Sequence, residues 1–201
     1  TAHLTPAHIE AIAAFVFLEM QEAGFASVGE FHYLHHQPDG TPYDDLGELS
    51  ARIAAAAAET GIGLTHLPVL YTYGGAGQVP LQPGQARFGN GVAQFNALVE
   101  RAKRAVADLA PDCRVGIAPH SLRATAPAEL AEVLAAHPEV STHIHIAEQP
   151  KEVADVSDWL GARPVDWLLA NAEVNENWCL IHATHMTEAE TAALARTGAV
   201  A

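Results

Sequence analysis

Short apolar runs alternate along the whole chain with longer stretches that carry helix signals, and this alternation limits the possible folds more than any other feature. Runs at 26–32, 63–71, 113–119, 141–147 and 178–183 are strand-length and apolar. The stretches between them read as helices. Thr5 followed by Pro6 forms an N-cap and first turn; Ile9, Ile12, Ala13, Val16 and Met20 follow at helical spacing, and Gly24 ends the helix. Further helices are expected at 46–59, 92–109, 127–136, 150–160 and 164–170, with a capping box, Thr187-x-x-Glu190, opening a last one to 197. Another apolar run starts at Ala199. Strands that alternate with helices pair in parallel, with the helices outside. The expected fold is therefore α/β, a partial (β/α)8 TIM barrel with parallel strands and outer helices. Five full strands and the start of a sixth fall short of closure, so both ends of the barrel are expected to be missing, with 1–201 as one central segment. An open doubly wound sheet is the alternative. No G-x-G-x-x-G or Walker motif follows any run, which weakens a nucleotide-binding version of it.

Charge narrows the partners. Ten Lys and Arg stand against 24 Asp and Glu, for a net charge of −14. Such a surface repels phosphate backbones, so no nucleic-acid partner is expected. No apolar run reaches the roughly 18 residues of a membrane span, and the opening residues do not read as a signal peptide. The expectation is a cytoplasmic protein. The missing initiator Met suggests a true N-terminus elsewhere. Cys113 and Cys179 each begin an apolar run and are expected to be buried, reduced thiols. The stretch 73–90 holds five glycines and two prolines without a clear period, so it reads as a long loop of functional type.

Polar residues collect where the runs end. The first closes on Glu30, His32 and Tyr33, with His35 and His36 just beyond; the second on Tyr71; the third on His120, with Arg123 after it; the fifth on His182, then Thr184 and His185. Active sites of parallel barrels form at that C-terminal rim. The fourth run is the sharpest. His143 and His145 share one face and Ile144 and Ile146 the other, so the histidines should point into the barrel and the isoleucines under the helices. Inward imidazoles need hydrogen bonds or a metal. Glu148, just past the strand, is placed to move a proton.

The segment HIHIAEQPKEV at 143–153 resembles the H-x-x-E metal motif on the fifth strand of amidohydrolase deaminases, and WCLIHATH at 178–185 resembles their sixth-strand histidine motif. GEFHYLHHQPDG, LPVLYTYGG, PHSLRATAP and RPVDWLL are similar to the formimidoylglutamate deiminases of that superfamily. The alternative that His143 and His145 are the superfamily's first-strand H-x-H pair is disfavoured by the Ala-Glu-Gln that follows and by the three runs that precede. The resemblance implies zinc-dependent hydrolysis of N-formimidoyl-L-glutamate to N-formyl-L-glutamate and ammonia, by an enzyme that is a homodimer when full length. It implies His145 as a zinc ligand and Glu148 as proton shuttle. It gives His182 the orientation of the attacking water, and His120, Arg123 and Tyr33 the lining of the substrate pocket. The superfamily's other metal ligands would lie outside the chain. The rival expectations are a deaminase of a nucleobase or another amidine, and a non-catalytic fragment or binding module. Taken alone, the 201 residues are expected to form an open arc with a bare strand edge, with wetted inward faces that include Ile117, Ile181, His143 and His145, and with no complete metal site, and to be neither a catalyst nor a stable monomer.

Overall fold

Helix α1 (Pro6–Glu22) starts where its signals place it. The Thr5 hydroxyl accepts the His8 N–H at 3.2 Å, the His8 ring accepts the Thr5 N–H at 3.4 Å, and Pro6 takes the first position, where no N–H is needed. A computed structural model describes residues 3–201. In chain order the elements after α1 are β1 (Ser27–His32), α2 (Glu48–Thr60), β2 (Gly63–Leu70), a 3-10 turn (Pro83–Gln85), α3 (Val92–Val106), β3 (Arg114–Val115), β4 (Ala118–Pro119), α4 (Pro127–Ala136), β5 (Thr142–Ile146), α5 (Pro150–Leu160), α6 (Pro164–Asn171), β6 (Trp178–His182) and α7 (Glu188–Leu194).

All named strands pair in parallel. β1 lies along β2 with Ser27 opposite Gly63, and β2 carries both β3 and β4 on its other side. Ile117 bridges to Thr142, which continues the arc to β5, and β5 pairs with β6 with His145 opposite Ile181. Val200 then bridges to Cys179, so the run expected at 199 does begin a further pairing. Among the described residues β1 pairs only with β2 and leaves its other edge bare. The architecture is an arc of a (β/α) barrel with helices on its outer side.

Two features of the arc differ from expectation. The run at 113–119 is split into β3 and β4 at Gly116 and Ile117. A Cβ on Gly116 would fall on the Ser141 carbonyl oxygen and within 2.8 Å of the Leu67 Cδ2, so only glycine lets this strand lie so close to its neighbours. Ile117, expected to face inward, is instead fully buried under the helices with Phe95, Val99 and Val133. The reason is parity: Ala118 and His120 take the inward positions, so Ile117 between them and Gly116 must point out. The two thiols are half-buried rather than buried. Cys113 precedes β3, where its sulfur receives the Leu64 N–H at 3.3 Å, and Cys179 lies on the inner face of the open arc.

Most of the core lies between sheet and helices. Ile144, Ile146 and Leu180 pack on Val156, Val165 and Leu168 of α5 and α6. Leu64 packs with Ile53 of α2 and Phe17 of α1. The inner face has only a small apolar patch, Leu67, Val69 and Ala118, overlaid by Phe31, Tyr33 and Tyr71. That leaves its upper end for polar side chains. No helix among the described residues is long and apolar enough to cross a membrane.

Candidate active site

His145 is the middle of the rim cluster. The alternation of β5 buries Ile144 and Ile146 completely under the helices and turns His145 inward. Its ring stacks on His120 at 5.0 Å between centroids, meets the edge of Phe31 at 4.2 Å and stands 5.1 Å from His182. Its Nδ1 lies 3.2 Å from the His120 carbonyl oxygen. A carbonyl can only accept, so Nδ1 carries the proton and Nε2 keeps its lone pair. Burial holds this imidazole below its ordinary pKa, with His182 and Arg123 acting the same way against the His120 carbonyl and Glu148. A neutral ring with its second nitrogen tied to a carbonyl is the form that ligates metals.

The neighbours are tuned by the same burial. His120 sits nearly enclosed, its Nδ1 2.8 Å from the Ser121 hydroxyl. Burial first, then His145 and Arg123, push its pKa down to about 3, so the ring is neutral at physiological pH. Tyr71 and Tyr33 flank it at 4.6 and 5.5 Å. The Tyr33 phenol is pushed up to about 12 by burial, then by Tyr71 and Glu148, with Arg123 opposing. It therefore keeps its proton and remains a hydrogen-bond donor at neutral pH.

Glu148 joins the two sides of the cluster. One carboxylate oxygen accepts from Arg123 Nη2 at 3.0 Å, and the other lies 4.0 Å from His182 Nε2. Arg123 Nη2 is also 3.9 Å from Glu152. The Arg123 Nε is buried and has no partner among the described residues. Behind this group a cleft of about 660 Å³ opens between Gly74, Gly75 and Val79 of the long loop and Gln149, Lys151 and Asp155 of the α5 segment.

His182 reaches the cluster by breaking the strand pattern. Trp178 and Leu180 face the helices, and strict alternation would send His182 with them. The backbone instead turns left-handed at His182 (φ 74°) and Ala183 (φ 49°), neither a glycine, and the ring comes to the rim. The turn is held from below: Glu190, fully buried, accepts the Thr187 N–H at 2.7 Å and the Arg163 Nε–H at 3.0 Å, while Arg163 also donates to the His185 carbonyl.

The structure thus brings all six expected site residues, Tyr33, His120, Arg123, His145, Glu148 and His182, to one rim. It does not bring His32, His35 or His36 there. His32 lies against His35 and His66 at 5.5 and 5.0 Å, and His66 bonds the Ser50 hydroxyl of α2, so this second histidine group is on the helix side of the sheet. His143 faces inward but bonds Ser141 at 3.1 Å, at the far end of the strand from Glu148. Tyr71, read at the end of the second run, joins the rim beside His120. Two site neighbours went unread in the sequence. Phe31 occupies an inward position on β1, which alternation could have shown; Glu152 lies on a helix, where no strand-end rule reaches. Among the described residues no group of three or more His, Cys, Asp or Glu side chains is arranged to hold a metal ion. The His145 Nε2 keeps its lone pair and so has the chemistry of a metal ligand.

Comparison with known proteins agrees with this fold. The chain is 50% identical over its whole length to formimidoylglutamate deiminase of Pseudomonas aeruginosa, of which it covers 44%. Among solved structures it matches an amidohydrolase from Brucella melitensis with a TM-score of 0.97 at 48% identity, over all of this chain and 44% of that one. A zinc-bound adenosine deaminase from Xanthomonas campestris, at 21% identity and a TM-score of 0.74, covers 98% of this chain and 39% of its own, and shares the fold. The chain thus spans less than half the length of these relatives. The profile of the amidohydrolase family matches residues 3–199, and the chain belongs to that family.

Proposed function

We propose that the chain is the central segment, 1–201, of a zinc-dependent barrel enzyme that hydrolyses N-formimidoyl-L-glutamate to N-formyl-L-glutamate and ammonia. The observation that carries this reading is Glu148, held at the rim between Arg123 and His182 beside the free Nε2 of His145. The half-identical deiminase of Pseudomonas aeruginosa supports the choice of substrate.

Zinc, when bound, supplies Lewis-acid activation of water at neutral pH, and His145 is the residue of this chain that would hold it. Glu148 takes the proton of the attacking water and delivers it to the departing nitrogen. His182, 4.0 Å away, orients that water and steadies charge as it develops. Arg123 receives a substrate carboxylate. A net charge of −14 opposes the carboxylates of the substrate, so a local cation with a spare donor is needed there. Tyr33 and the neutral His120 line the pocket and offer hydrogen bonds without adding charge.

The test is ammonia release by the intact polypeptide from N-formimidoyl-L-glutamate, beside a formamidine without carboxylates and adenine. The formimidoyl compound should be turned over far faster than either. His145→Ala should lose both zinc, by metal analysis, and turnover, with an unchanged circular dichroism spectrum. Preference for adenine would overturn the substrate, and full zinc occupancy in His145→Ala would overturn the ligand.

A further inference from the structure

Among the described residues three helices carry a glutamate at their third position, and one of the three behaves differently. A glutamate there ordinarily reaches back to the N–H of the residue that caps its own helix. Glu129 does so in α4, accepting the Ala126 N–H at 2.9 Å, and Glu190 does so in α7, accepting the Thr187 N–H at 2.7 Å. Glu152 of α5 passes over its cap, Gln149. Its two oxygens accept the N–H groups of Ala147 at 3.1 Å and of Glu148 at 2.8 Å. Ala147 is in the left-handed region, with φ 49°, a conformation that a non-glycine residue keeps only when its surroundings enforce it.

We propose that Glu152 is the positioning residue for Glu148. This rests on the reading of Glu148 as proton shuttle. Glu152 is 2% exposed, and a carboxylate is buried at a cost unless its oxygens are fully used. Here they are used on the turn that aims Glu148, with Arg123 3.9 Å away as the compensating charge. Glu148 is therefore fixed twice: its backbone by Glu152 and its side chain by Arg123. The arrangement sets where the Glu148 carboxylate stands relative to His182 and His145. An amide in place of Glu152 would set N–H against one of the two backbone N–H groups and release that end of the turn.

The experiment is a double-mutant cycle in the intact, zinc-loaded protein, with formimidoylglutamate turnover and its pH profile as readouts. Glu152→Gln should lower kcat at least about tenfold and shift the pH profile of kcat, with zinc content unchanged. Glu129→Gln, the same exchange at an ordinary helix start, should lower the melting temperature and leave kcat and the pH profile alone. Because Glu152 acts through Glu148, E148Q/E152Q should be no slower than E148Q. Wild-type kcat and pH profile in Glu152→Gln would overturn the proposal, as would losses that multiply in the double variant. Should Glu152→Gln fail to fold, Glu152→Asp, which keeps the charge and retracts it by a methylene, completes the same cycle. Near-normal turnover in E148Q alone would instead overturn the role of Glu148, and that result is separate from any obtained at 152.

Discussion

Arg123 makes an ion pair with Glu148 and still has a buried Nε without a partner among the described residues. Filling that donor with a substrate carboxylate adds a charge-assisted contact in ground and transition states alike. Arg123→Ala should therefore raise KM for formimidoylglutamate about 10- to 150-fold, the range that a hydrogen bond to a charged group of about 1.5–3 kcal/mol implies, and should lower kcat as well because Arg123 also holds the Glu148 side chain. Steady-state kinetics read this directly, and an unmoved KM would remove the clamp role. The six rim residues were legible because they sit at strand ends, and a strand end can be located from where an apolar run stops. The route by which His182 arrives was not legible. Counting along the strand puts it on the wrong face, and only the left-handed backbone at 182 and 183 corrects the count. Glu152 was invisible for another reason: in sequence it is one more acid in the first turn of a helix, the commonest place for one.

The helices were the most legible elements. α4 and α5 begin and end at the expected residues because Pro127 and Pro150 mark their first positions, and Gly161, left-handed at φ 74°, closes α5. Proline and glycine act through their own backbones, so the signal is local and needs no tertiary partner. The split of the third run into β3 and β4 depends instead on what approaches from the adjacent strands, which no local signal carries. Gly116→Ala tests that account. The added methyl meets a backbone carbonyl as well as the Leu67 side chain, and the carbonyl cannot swing aside, so the strand must shift away from β5. Urea unfolding of the intact protein should show a loss of about 1–3 kcal/mol, the usual scale for overpacking. Turnover should fall too, since His120 and Arg123 follow directly on β4.

Across the whole molecule, imidazoles are buried on both faces of the sheet. His35 and His66 are held well below the ordinary histidine pKa, mainly by burial and then by the nearby His32. Folded, they stay neutral as the pH falls; unfolded, they take up protons below about 6.5. The unfolded chain then binds more protons than the native one, so stability drops as the pH falls from about 6.5, by at most about 1.4 kcal/mol per pH unit for each such group. Melting temperatures should be flat above pH 7 and fall steeply towards pH 5, and a flat profile through that range would contradict the burial. The rim has a consequence of a different kind, in time. The bonds that tie β4 and its following turn to the β5 segment, His120 to His145 and Arg123 to Glu148, each span 25 residues. Tyr33 meets them from the opposite end of the arc. Contacts so far apart in sequence form only after long loops have closed, which is slow compared with winding a helix. During refolding, ellipticity at 222 nm should therefore recover ahead of any rim contact, and a chain caught between the two stages is already helical but has no pocket.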